Sequence, residues 1–168
     1  GLWVHSKFGY AIPRRNGKNE VVSIREMYGI TKGEHILHTA HRTPTSSSAF
    51  SRLYDLLVKA GYKEKEDFTV YRQYGLEKIE MIGGEGLASF RTRTSKGGLG
   101  EGYDLLVIDE AQEYQNDQET TLKYVVSSSP NPQTIFCGTP PTMVSSGTVF
   151  MHMREDVLSG KTVNTGWA

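Results

Sequence analysis

The spacing of apolar positions along the chain switches between alternation and helical periodicity several times. Lys7–Ile12 is a short mixed run that reads as a strand entering a turn at Pro13. Asn19–Tyr28 carries Val21, Ile24 and Tyr28 at helical spacing, with Gly29 as its stop. His35–Ala40 alternates as a second strand. Ser46–Ala60 places Phe50, Leu53, Leu57 and Ala60 on one helical face, ended by Gly61. Phe68–Tyr74, Leu76–Ile82 and Leu87–Thr92 are short strand candidates, the last two flanking Gly83-Gly84-Glu85-Gly86, which suits a hairpin. Leu105–Ile108 is continuously aliphatic, as expected of a strand buried on both faces. Asp117–Val126 reads as helix, Thr134–Cys137 as strand and Val149–Leu158 as helix.

This order predicts an α/β domain: a mostly parallel central sheet flanked by helices, with a small antiparallel insertion around 68–93. Ser127-Ser128-Ser129-Pro130-Asn131-Pro132 is a polar loop rather than a linker, because strand signal resumes directly after it. A length of 168 residues suits one domain with a real core. The lone Cys137 excludes an internal disulfide and a cysteine zinc cluster, and is expected to be buried and inert. No apolar run is long enough to span a membrane, and no secretory signal is visible, so a soluble protein of a reducing compartment is expected.

Charge changes the picture more than composition does. Lys and Arg number 19, as do Asp and Glu, which argues against a uniformly basic nucleic-acid-binding surface. The neutrality is a sum of unlike parts. Residues 1–65 hold 11 basic and 5 acidic side chains, whereas residues 66–168 hold 8 basic and 14 acidic ones. Seven carboxylates and no Lys or Arg fall within 101–119, a cluster that either holds a divalent metal or forms a solvated face.

Three motifs carry chemistry. In Ile12-Pro13-Arg14-Arg15-Asn16-Gly17-Lys18-Asn19, Gly17 and Lys18 open a helix, offering backbone N–H groups, close approach and a point charge to a phosphate. The usual pattern is G-x-x-x-x-G-K-[ST]. Here Ile12 stands at the first glycine and Asn19 at the hydroxyl position, so the segment also reads as a basic turn capped by Asn19. In Tyr103-Asp104-Leu105-Leu106-Val107-Ile108-Asp109-Glu110-Ala111-Gln112 a buried strand delivers two carboxylates to the sheet edge where ligands bind in open α/β folds. Asp109 is the expected Mg²⁺ ligand, usually through water. Glu110, turned the other way by strand alternation, is expected to polarise the water attacking a γ-phosphate. Together these two motifs predict a P-loop NTPase. In the third, Gln133-Thr134-Ile135-Phe136-Cys137-Gly138-Thr139-Pro140, a strand ends on Gly138-Thr139, able to sense that phosphate or simply to turn.

The order of motifs resembles the ATPase domain of the large terminase subunit of tailed bacteriophages. Pro13–Asn19 opens a helix, His38-Thr39-Ala40-His41 ends the next strand, and Ala49-Phe50-Ser51-Arg52-Leu53 lies in the helix that follows. A glycine-rich loop, Leu106–Ala111 and Asn131-Pro132-Gln133 complete a likeness covering nearly the whole chain. The resemblance implies an ASCE/RecA-like P-loop fold and ATP hydrolysis coupled to packaging of double-stranded DNA into a procapsid. It also implies a homo-oligomeric ring docked on the portal protein, a small terminase subunit as partner, and a location in the cytoplasm of the infected bacterium. Lys18 would contact the β- and γ-phosphates, Asn16 and Gly17 would shape the loop, and Arg14 or Arg15 would be the basic residue that terminases often place there. Asp109 and Glu110 match the metal-binding and catalytic acids, and Gly138-Thr139 the coupling motif.

Departures from that family are specific. Asn19 replaces the hydroxyl that ligates Mg²⁺, although an amide oxygen can accept the metal or its water. Where relatives carry an arginine finger in the glycine-rich loop, Ser95-Lys96-Gly97-Gly98-Leu99-Gly100 has Leu99, which leaves Arg91, Arg93 or Lys96 as substitutes, with Arg93 preferred. The carboxylates of an RNase H-like nuclease are missing from residues 1–168, so the chain is expected to be the ATPase domain alone. His41 and Arg42 are candidate DNA contacts. His35, His38 and His41 do not read as a zinc site, because on a strand His38 faces away from the other two. Phe68, Tyr71 and Tyr74 are expected in the core of the insertion. Two alternatives are a superfamily 2 helicase core, suggested by Asp109-Glu110-Ala111-Gln112, and a docking module that has lost ATP chemistry.

Overall fold

A computed structural model describes residues 2–13, 17–93, 102–140 and 147–168. The chain runs β1 (Lys7–Ala11), α1 (Lys18–Thr31), β2 (His35–Ala40), α2 (Thr43–Lys59), β3 (Phe68–Tyr71), β4 (Lys78–Met81), β5 (Leu87–Thr92) and β6 (Leu105–Ile108). A 3₁₀ turn (Ala111–Glu113), α3 (Asn116–Leu122), β7 (Gln133–Gly138), α4 (Val149–Leu158) and β8 (Thr165–Trp167) complete it. One sheet collects the eight strands in the order β3-β4-β5-β2-β6-β7-β1-β8. Pairing is parallel from β5 to β8 and antiparallel only where β3 and β4 extend the edge. The antiparallel part is therefore β3 and β4 added to the sheet; β5 pairs parallel with β2 and belongs to the centre.

Alternation along β6 explains the layers. Leu105 and Val107 pack with Ile36, Leu53 and Phe90 beneath α1 and α2. Leu106 and Ile108 face the opposite way, onto Tyr114, Phe136, Val149 and Phe150 beneath α3 and α4. All four β6 side chains are buried, each contributing about 1.5–3 kcal/mol of hydrophobic burial. A strand fed from both faces needs no polar position, which is why its sequence runs aliphatic without a break.

Two helices start or face differently from expectation. α2 begins at Thr43 rather than Ser46, because Pro44 sits in its first turn, where a missing N–H sacrifices no helical bond. In α1 the apolar residues Val21, Ile24 and Tyr28 are exposed, and the inward face is Val22, Ser23, Glu26, Gly29 and Ile30. Apolar spacing pointed to the wrong side because this buried face contains a hydroxyl, a carboxylate and a glycine. Ser23 donates to the Asn19 carbonyl, and Glu26 has a buried partner described below. Of the three insertion aromatics only Phe68 is buried; Tyr71 and Tyr74 are exposed.

Strand register aligns the carboxyl ends. Ala11 is level with Gly138, Ala40 with Thr92, Thr39 with Ile108, and Ile108 with Phe136. The loops after β1, β2, β5, β6 and β7 thus leave from one edge. At the opposite edge the β4–β5 hairpin packs on the end of α1, where a Cβ at Gly86 would overlap the Ile30 carbonyl. Gly86→Ala is expected to lower stability by about 1–3 kcal/mol through overpacking. Gly84→Ala, whose Cβ meets only Met81 at 3.9 Å, should change it by less than about 0.5 kcal/mol in urea unfolding.

Candidate functional site

Gly17 caps α1 in the left-handed region, φ 84°, a conformation that suits glycine. That turn places Lys18 at the first position of α1, and the Tyr10 hydroxyl donates to the Lys18 carbonyl at 2.7 Å. Lys18, Asn19, Arg42, Arg52, Glu110 and Thr139 are among the residues lining a cleft of about 460 Å³ at the carboxyl edge of the sheet. Helix N-terminus, lysine and strand-end acids therefore meet at one place.

Asp109 lies just under the floor of this cleft, 2% exposed. Its Oδ1 is 3.2 Å from Lys18 Nζ and accepts the Glu110 N–H at 2.8 Å. Its Oδ2 is 3.1 Å from Nε2 of His38, and Nδ1 of the same ring is 2.8 Å from Glu26 Oε2. The chain Glu26–His38–Asp109–Lys18 thus alternates acid and base across α1, β2 and β6. Burial alone would lower the His38 pKa, but the charge of Glu26 and the hydrogen bonds and charge of Asp109 outweigh it and hold it up to about 10. Burial would raise the Asp109 pKa. The His38 hydrogen bond and charge, Lys18 and the Glu110 N–H reverse that and hold it well below the usual carboxylate range. Burial raises the Cys137 thiol, which lies 3.5 Å from Asp109 Oδ1.

Glu110 is turned by its backbone rather than by strand alternation. β6 stops at Ile108, and Glu110 adopts φ 53° at the entrance to the 3₁₀ turn. Its Oε1 accepts the Arg42 N–H at 3.1 Å and its Oε2 the Arg42 Nε–H at 3.3 Å. The left-handed residue is braced from behind by Arg93, whose guanidinium donates to the Asp109 carbonyl at 2.7 Å and the Glu110 carbonyl at 3.2 Å. Thr139 N–H donates to Gln112 Oε1 at 3.2 Å, and a Cβ at Gly138 would overlap that same oxygen. The 3₁₀ turn after the acids and the end of β7 are in this way locked together.

The expected residues fall into three groups. Gly17, Lys18, Asn19, Asp109, Glu110, Gly138 and Thr139 lie together at the carboxyl edge of the sheet. Arg14, Arg15 and Asn16, and the glycine-rich segment with Lys96 and Leu99, lie outside the described residues. Arg93 is corrected: a finger has to project toward a neighbouring molecule, whereas this guanidinium is 7% exposed, turned inward and spent on backbone carbonyls. Arg91 is also buried and bound to the Glu77 and Phe90 carbonyls. His41 and Arg42, the candidate DNA contacts, are exposed, and Arg42 holds Glu110. Sequence reasoning missed Glu26, His38, Gln112 and Arg52 as site residues. The carboxylate in the middle of an amphipathic helix was the signal that could have found Glu26.

The donor set suits a hard cation carried in with a phosphate. Asp109 Oδ1 and the Asn19 amide are oxygen donors on the Lys18 side. Among the described residues no cluster of three or more His, Cys, Asp or Glu is arranged to hold a metal unaided.

No family model matches the sequence, and no curated protein matches it either. Solved structures do match in fold. The large terminase of bacteriophage HK97 superposes with a TM-score of 0.78 at 14% identity over 97% of this chain and 35% of its own. The large terminase of a thermophilic bacteriophage, solved in complex with ADP, gives 0.70 at 12% identity over 98% of this chain and 40% of its own. The large terminase ATPase domain of Thermus phage P74-26 gives 0.63 at 14% identity over 84% of this chain and 62% of its own. This chain thus spans about a third to two thirds of their lengths, and it shares its fold with them. Among the described residues no helix is long and apolar enough to cross a membrane.

The raised His38 pKa has a definite sign for stability. A group held above its unfolded value of 6.5 contributes fully below pH 6.5, and that contribution is lost as pH rises toward about 10. Urea unfolding from about pH 6.5 to about pH 10 is expected to show falling stability. His38→Gln, which does not titrate, should flatten that slope while lowering stability at the acidic end of the range.

Proposed function

We propose that this chain is the ATP-hydrolysing motor domain of a phage large terminase, converting ATP and water to ADP and phosphate to drive double-stranded DNA into a procapsid. The observation that carries the reading is Lys18 Nζ 3.2 Å from Asp109 with Glu110 on the same cleft wall, at the N-terminus of a glycine-capped helix. Support comes from the fold shared with large terminases, one of them solved with ADP and also with ATP-gamma-S.

Each residue has a task that follows from its chemistry. The N-terminus of α1 offers backbone N–H groups and a partial positive charge to phosphate oxygens. Lys18 supplies a point charge for the β- and γ-phosphates, which compete with Asp109 for its ammonium. Mg²⁺, when bound, neutralises charge on those oxygens; Asp109, through water, and Asn19 would hold it. Glu110, whose two oxygens each hold one contact with Arg42 and keep further acceptor capacity, takes a proton from the attacking water. Little covalent chemistry is asked of the protein, so positioning and charge carry the rate. Thr139, tied to Gln112, is placed to transmit loss of the γ-phosphate from the acidic turn to β7.

DNA, the portal protein, the small terminase subunit and further copies of this chain in a ring are the proposed partners, in the cytoplasm of the infected bacterium. Arg42 and His41, exposed at the exit of β2, are the proposed DNA contacts. A domain with 19 basic and 19 acidic residues grips DNA weakly alone, so a ring has to supply the grip.

Steady-state ATP turnover with Mg²⁺ tests this. Lys18→Ala and Glu110→Gln are each expected to lower kcat/KM by roughly 100-fold or more. Glu110→Gln should retain nucleotide binding that Lys18→Ala weakens. Turnover per molecule that rises with protein concentration would indicate a residue supplied by a neighbouring copy. Undiminished turnover in both variants would remove the assignment, and a wild-type chain that binds no nucleotide would favour a docking module instead.

A further inference from the structure

Behind the acidic pair lies a link that the reaction described above does not use. His38 sits on β2 directly opposite Val107 of β6, and both of its ring nitrogens meet carboxylates, Glu26 at 2.8 Å and Asp109 at 3.1 Å. Ionised carboxylates only accept hydrogen bonds, so a ring bonded to both donates from both nitrogens. The ring packs against Phe90, centroids 5.4 Å apart, which fixes its plane. Glu26 is fully buried on α1, two turns from Lys18, and its Oε1 has no hydrogen-bond partner.

As a device for stability alone this arrangement is poor. It buries a carboxylate with one oxygen unpaired, where apolar side chains of similar volume commonly serve as well or better. What it does achieve is orientation. With Oδ2 held by His38, the Asp109 carboxylate cannot rotate freely, and Oδ1 is kept on the Lys18 side, toward the cleft. Partners of this kind behind a metal-binding group typically set metal affinity by about 10–100-fold.

We propose that His38 and Glu26 are positioning residues for the metal-binding carboxylate: His38 pins Asp109 Oδ2 so that Oδ1 faces the phosphate cleft, and Glu26 pins His38. This rests on the nucleotide site proposed above. It also makes α1, the helix that Lys18 opens, a direct mechanical partner of the metal-binding strand.

Two substitutions separate positioning from charge and packing. The Gln amide nitrogen reproduces the reach of Nε2, so His38→Gln keeps the donor to Asp109. The Asn amide nitrogen reproduces Nδ1, so His38→Asn keeps only the donor to Glu26. Both remove the same positive charge. The measurement is Mn²⁺ binding by electron paramagnetic resonance with ATP-gamma-S present, beside ATP-gamma-S affinity in EDTA.

His38→Asn is expected to weaken Mn²⁺ about 10-fold or more, and His38→Gln by less than about threefold. Metal-free nucleotide affinity should stay within about twofold in both. Equal losses in the two variants, or no loss in either, overturn the proposal.

Glu26→Leu provides a second arm should His38→Asn not fold. It should weaken Mn²⁺ by about three- to 10-fold while still giving a cooperative thermal transition. A melting temperature that falls with Mn²⁺ affinity unchanged would show Glu26 to be structural only and overturn its part. Wild-type protein that binds ATP-gamma-S in EDTA isolates these outcomes from the functional reading; wild type that binds none overturns both.

Discussion

Asp109 is the residue on which the rest of the site depends. It directly follows a strand buried on both faces and is itself buried, so its carboxylate has little water and must be satisfied by protein. Lys18, His38 and the Glu110 N–H do so, and each arrives from a different part of the chain. Meeting that one requirement sets where α1 begins, which way β2 presents its histidine, and how the backbone turns after β6. Arg93 completes the arrangement by taking the carbonyls of both acids, which lets Glu110 hold a left-handed backbone.

The fold was legible to the extent that local pattern and burial agreed. β6 announced itself because burial on two faces permits no polar residue, and the glycines before β5 marked the hairpin. α2 was found for a similar reason: Phe50, Leu53 and Leu57 are both apolar and buried. α1 was found with the wrong face inward, since Glu26, Ser23 and Gly29 occupy buried positions. Spacing arguments weigh apolarity alone, and a buried carboxylate with a distant partner defeats them. β8, pairing with β1 through Thr165–Trp167, was missed because so short a run has no period to read.

The candidate site was legible where chemistry follows chain order, as in Gly17-Lys18 and Asp109-Glu110. It was not legible where two distant residues meet. His38 read as facing away from its neighbouring histidines, which is true, but what it faced instead required the register of β2 against β6. Arg93 read as the preferred substitute for an arginine finger; the level pairing of Ala40 with Thr92 carries it inward beneath the acids. Zero net charge now resolves into an inner alternation, Glu26, His38, Asp109, Lys18, and an outer pair, Glu110 with Arg42. Opposite charges are matched at short range, while the basic and acidic halves of the sequence remain unlike.

In the proposed reading, the cleft between α1 and the acids is a nucleotide site. A crystal structure of the chain with ATP-gamma-S and Mg²⁺ would decide it. The terminal phosphates are expected at the N-terminus of α1, in contact with Lys18, with the cation between them and Asp109 and with Glu110 facing the outermost phosphate. Nucleotide bound at another surface, or a cleft left empty at saturating nucleotide with Lys18 still paired to Asp109, would contradict it.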